Sequence, residues 1–149
     1  MLTIHAADEV RTARDAEPLK DGAVAVDGNR IAAVGPLAQV RGRFPQARVR
    51  SWPGVLEPGR LHEGPLPDAP SPRERIHAVL KSGAVAILAQ YADSPGLRAA
   101  AERNDVLVLL SGTRPEALVE SGRADLAVFD ETGACIATVC AGRLVHRRR

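Results

Sequence analysis

Residues 60–121 of this chain read as alternating helices and buried strands, yet they are far too few to close a barrel of that pattern. A (β/α)₈ barrel takes roughly 250 residues, and the whole chain has 149. On either side of this middle the pattern changes. Residues 23–59 (AVAVDGNRIAAVGPLAQVRGRFPQARVRSWPGVLEPG) and 122–147 (GRADLAVFDETGACIATVCAGRLVHR) run through short apolar or alternating stretches bounded by turn residues, which is strand chemistry. The chain is therefore expected to be mixed α+β, with an α/β insertion between two β-rich ends.

The local punctuation is specific. Leu2 to Ala6 reads as a first strand and residues 7–20 as a polar returning loop. Asp27-Gly28-Asn29 separates strands Ala23–Val26 and Ile31–Val34, and Asp-Gly is a strong hairpin signal. A short helix follows from Leu37, stopped by Pro45, and then a strand from Arg48 to Trp52. The stretch Pro53 to Pro72 holds six prolines and reads as a linker. Within the insertion, Ser71 to Glu74 is a capping box with Pro72 at the first helical position. Ser94-Pro95 opens a second helix and Thr113 to Glu116 a third, running to about Glu120. The apolar runs Ala84–Ala89 and Val106–Leu110 between them give the order α-β-α-β-α, containing a parallel βαβ unit.

Composition removes several function classes. Aromatic residues make up 3% of the chain, too few for stacking platforms that bind single-stranded nucleic acid. A net charge of +2 does not call for a polyanion, and Arg147, Arg148 and Arg149 read as a solvated tail. No nucleic-acid partner is expected. No apolar run approaches a membrane span and the N-terminus lacks a secretory pattern, so no membrane partner and a soluble, cytoplasmic protein are expected. Cys135 and Cys140 stand five apart in one strand, on opposite faces, and read as free buried thiols.

The stretch DGAVAVDGNRIAAVGP, followed by VLEPG, resembles the amino-terminal strands of amidohydrolase-superfamily enzymes, and GRADLAVFD with IATVCAGRLVHR resembles their carboxy-terminal strands. The similarity is closest in character to the imidazolonepropionase and aminodeoxyfutalosine deaminase group. It implies that residues 1–59 and 122–149 form one composite β-sandwich. Residues 60–121, a Pro-rich linker and an α/β insertion, are then a remnant of the catalytic barrel. Closure entropy grows only logarithmically with the length of an insertion, so losing most of one leaves such a sandwich viable.

The same resemblance locates what is missing. In the family a His-x-His pair after the Pro-Gly binds the catalytic metal, usually zinc. Those two positions fall here at Gly64 and Leu66. Asp125 belongs to the carboxy-terminal Ala-Asp-Leu motif and is not the family's catalytic aspartate. No catalytic residue is carried over, and no cofactor is expected because the ancestral zinc site is lost. His62 and Glu63, a His beside a carboxylate close to the old metal position, are the remaining metal candidates. His5, His77 and His146 read as structural or surface histidines, and Ser111-Gly112-Thr113 as a helix cap rather than an anion loop. The expected function is that of a non-catalytic remnant acting as a binding, interaction or oligomerisation module. Its partner is a second copy or a full-length amidohydrolase. Two alternatives stand beside it: a hydrolase or deaminase acting on non-peptide carbon–nitrogen bonds, and a binder of nucleoside-like small molecules.

Overall fold

A computed structural model of the chain describes residues 2–112, 114 and 116–148. Seven strands form one hydrogen-bonded sheet: β1 (Leu2–Val10), β2 (Leu19–Asp27), β3 (Arg30–Pro36), β4 (Arg48–Pro58), β8 (Leu126–Phe129), β9 (Cys135–Cys140) and β10 (Arg143–Arg147). Their spatial order is β10-β9-β8-β4-β1-β2-β3. Only β1 and β4 run parallel; the other pairs are antiparallel. Head and tail meet where β4 pairs β8, from Val55 opposite Phe129 to Pro58 opposite Leu126. The strands of the two ends therefore share one sheet, as the resemblance implied.

The sandwich is made by this single sheet folding on itself. Val24, Val26 and Ile31 from one arm pack with Leu126, Ile136 and Val139 from the other, around Trp52 and Leu56. At the tips the chain is stitched across: the amide of Ile31 donates to Gly122 O (2.8 Å) and that of Ala124 to Asn29 O (2.8 Å). The opposite face of the first arm is closed by helix α1 (Leu37–Arg43), whose Val40 packs with Ile4, Ala23, Ala25 and Ala33. With so few rings, the core relies on aliphatic burial. Each fully buried Val, Leu or Ile contributes roughly 1.5–3 kcal/mol.

The insertion forms a second, parallel sheet ordered β5-β6-β7, from β5 (Arg60–His62), β6 (Ala84–Leu88) and β7 (Leu107–Leu109). Helices α2 (Pro72–Lys81) and α3 (Pro95–Arg103) connect these strands. Ile76, Val79, Leu80, Leu97, Ala100 and Ala101 of the helices form one core with Val85 and Ile87 of β6. The expected caps form. Ser71 Oγ accepts from the Glu74 amide (3.2 Å) and Ser94 Oγ from the Leu97 amide (3.1 Å). Asn104 closes α3 by donating from Nδ2 to Ala100 O (2.7 Å). Thr138 Oγ1 of β9 donates to Leu80 O (2.7 Å), joining the end of α2 to the large sheet.

Three expectations need correction. The stretch after Trp52 is not all linker, because β4 continues to Pro58 and β5 begins at Arg60. Pairing with β1, β8 and β6 overrides the proline content of this stretch, so the insertion carries three parallel strands rather than two. The loop expected over residues 7–20 is shorter, with β1 reaching Val10 and β2 starting at Leu19. The third helix of the insertion is not formed over residues 116–120. Long-range bonds take its place: the Leu118 amide donates to Thr12 O (2.8 Å), Ala117 bridges Ala13, and Glu116 Oε2 accepts from the Leu61 amide (3.1 Å). Thr113, the first residue of its expected capping box, lies outside the described residues, as does Arg149 of the terminal arginine run.

Candidate functional site

Parallel strands place all their carboxy-terminal ends on one side, and there His62, Leu88 and Leu109 end β5, β6 and β7. His62 Nε2 lies 3.0 Å from Pro65 O, and Glu63 is exposed. Beyond them the chain turns inward, and Leu66 is buried with the helices. Among the described residues no group of three or more His, Cys, Asp or Glu side chains is placed to hold a metal ion. The other histidines are dispersed. His77 lies on α2 near Ser71, Arg73, Glu74 and Asn104, and His146 Nε2 lies 3.2 Å from Cys135 O. Ser111 and Gly112 are exposed bends after β7.

A polar centre that sequence reasoning missed lies where the two sheets join. Asp125, almost wholly buried, accepts from Arg114 Nη2 (3.1 Å), Arg123 Nε (3.0 Å) and the Ala141 amide (2.9 Å). Its own carbonyl accepts from the Gly59 amide (2.9 Å), at the start of the insertion. Arg123 also reaches Asp105 O and Cys140 Sγ. Burial, reinforced by the charge of Asp125, pushes the Cys140 thiol up to about 11. Cys135 is half-buried, and its thiol is likewise raised by burial. Both cysteines are free. The motif Ala-Asp-Leu was legible as a family signature, but the arginines that meet it are eleven and two residues away and follow no period.

A second feature is apolar. Val108, Leu110 and Val119 are the exposed large hydrophobic residues among those described, at 39%, 56% for Val119 and 96% for Leu110. All three lie within residues 108–119. Among the described residues β7 pairs only with β6, so its outer edge has no strand partner there.

His5 sits inside the sandwich. Trp52 Nε1 donates to its Nδ1 (3.2 Å), and the two rings lie 13° from parallel. Burial first, and the charge of Arg50 second, hold its pKa down at about 4, from 6.5. The unfolded chain therefore binds more protons between these values, and stability rises with pH across that window. The contribution is complete above about pH 6.5 and is lost as pH falls towards 4, a change of about 3 kcal/mol. Urea midpoints at pH 7 and pH 4.5 measure it. His5→Gln keeps an acceptor for Trp52 but does not titrate, so it should lose this share of the pH dependence. An unchanged dependence contradicts the assignment.

Comparison with known proteins places this geometry. A family model described as "Imidazolonepropionase-like composite domain, bacteria" matches residues 22–47, which span most of β2, all of β3 and α1. The fold is similar to that of an adenosine deaminase from Xanthomonas campestris with bound zinc (TM-score 0.53, 22% identity, covering 68% of this chain and 31% of that one). It is also similar to that of E. coli guanine deaminase (TM-score 0.51, 18% identity, covering 69% and 34%). At these identities the likeness is one of fold. The first solved structures it matches are spanned over only 25%, 27% and 31% of their own lengths. No curated protein sequence matches the chain. The matched segment and the fold agree with a composite β-domain fragment of the amidohydrolase superfamily, of the imidazolonepropionase-like kind.

Proposed function

We propose that the chain is a non-catalytic remnant of a metal-dependent amidohydrolase that acts as a self-association module through the open edge of β7. The observation that carries this reading is the edge itself. Edge strands of soluble proteins are guarded by charge, proline or a bulge. Residues 107–110, Leu-Val-Leu-Leu, carry no charge and no proline, and Leu110, just past the three-residue β7, is 96% exposed. A second copy related by a two-fold axis presents the same edge in antiparallel sense, so pairing joins two three-stranded sheets and covers Val108 and Leu110 in both. The chemistry at the old metal position favours the same reading: glycine and leucine offer no ligand atoms at positions 64 and 66.

Light scattering coupled to size-exclusion chromatography tests it. The expected mass is twice the 15.8 kDa of one chain. Leu110→Lys should return the protein to a monomer, raising the dimer dissociation constant at least 100-fold. Its thermal midpoint in dilute solution should stay unchanged, because an exposed side chain contributes little to the monomer. A wild-type monomer at high concentration overturns the proposal, as does a dimer indifferent to Leu110→Lys. Elemental analysis separates the hydrolase reading: stoichiometric metal that His62→Ala removes contradicts a non-catalytic remnant.

A further inference from the structure

Arg48 and Arg50 stand together in the mouth of the sandwich, near enough to Arg147 for Arg50 to feel its charge. Thr3 of β1 pairs Arg48 of β4, and His5 pairs Arg50, so all four share one face of the sheet. With Val26 and Gly28 of the first arm and Gly142 and Leu144 of the other, they line a cavity of about 380 Å³. That lies within the roughly 300–1,000 Å³ of small-molecule pockets. No carboxylate among the described residues lines it. Among the described residues Arg48, Arg50 and Arg147 make no ion pair, while seven other arginines do. Arg147 stands over the Trp52 ring, 5.8 Å from its centre. Burial, then the charges of Arg48 and Arg147, push the Arg50 guanidinium below its usual range. Like charges held together without a partner are costly, and an anion between them relieves that cost.

The other lining groups suit such an anion. His5 is 4% exposed and neutral at physiological pH. Its Nδ1 is taken by Trp52, so the proton resides on Nε2, which has no acceptor among the described residues. We propose that this cavity binds a phosphorylated small molecule, its phosphoryl group held by Arg48 and Arg50 with the His5 Nε2–H as an additional neutral donor. A phosphoryl dianion matches two guanidinium forks in charge and geometry better than a single carboxylate does. The cavity is larger than a bare phosphate, and Val26 and Leu144 supply apolar wall for the organic part.

Isothermal titration with inorganic phosphate at constant ionic strength tests the site, with acetate as the carboxylate arm. Saturable binding of one phosphate per chain is expected, with acetate at least 10-fold weaker. Arg50→Gln and Arg48→Gln should each weaken phosphate at least 10-fold, while Arg73→Gln on the surface of α2 leaves it unchanged. Without phosphate, Arg50→Gln should melt no lower than the wild type, because it removes a like charge. Arg48 is itself exposed, so Arg48→Gln carries the test if the Arg50 variant does not fold. Non-saturable heats, equal losses in the Arg73 variant, or acetate binding as tightly as phosphate overturn the proposal.

Discussion

Asp125→Ala should lower the stability of the fold by about 3–5 kcal/mol. The carboxylate is 3% exposed and holds two guanidinium groups and a backbone amide. Without it, Arg114 and Arg123 keep their charge in a partly buried setting with no anion. Arg114 Nη1 is already buried without a hydrogen-bond partner, so it has no alternative ready. The Ala141 amide is orphaned as well, which adds the cost of an unsatisfied donor. Asp125→Asn keeps one acceptor and loses the charge, so it should fall between alanine and wild type. Urea unfolding of the three proteins checks the order. Asp125→Ala within 1 kcal/mol of wild type would mean that the carboxylate does not hold Arg114, Arg123 and the Ala141 turn together.

Gly142→Ala should cost on the order of 3 kcal/mol, through backbone rather than side-chain contacts. Gly142 closes the β9–β10 turn at φ 82°, in the left-handed region, and a Cβ there overlaps the carbonyl oxygen of Gly28 in the β2–β3 turn. The atoms met are backbone, so neither can rotate away. Gly133 is the internal control. Its φ is 85°, but nothing lies within 4 Å of the added Cβ. Gly133→Ala should therefore cost only the left-handed strain, roughly 1–2 kcal/mol. The difference between the two thermal or urea midpoints measures the contact between the tips of the two arms. Equal costs would show that the hairpin tips do not touch in solution.

Much of this architecture is legible in residue order because it depends on local chemistry. The Asp27-Gly28 turn, the Ser71 and Ser94 caps and the apolar runs at 84–88 and 107–109 need only their neighbours to define them. What escaped is held by distant partners. β5 is three residues long and exists because Leu61 pairs Ala86, which no local pattern announces. Residues 116–120 have a helix signal in sequence, but the Leu118 amide goes to Thr12 O, and just beyond them the Ser121 amide goes to Ile31 O of β3. The single-sheet character of the sandwich follows from the β4–β8 pairing of residues some seventy positions apart, a pairing that only the family resemblance implied. The arginines around Asp125 and those lining the cavity are scattered through an arginine-rich chain, where composition hides them.

The composite sandwich exists only if β4 and β8 are neighbours. Solution NMR on the isotopically labelled full chain addresses this directly. Cross-strand amide and α-proton contacts between Leu56 and Val128, and between Glu57 and Ala127, are predicted. Amides of β1 and β9 should exchange through the same global opening. Absence of those contacts, with the tail strands exchanging independently of the head, would contradict the shared sheet.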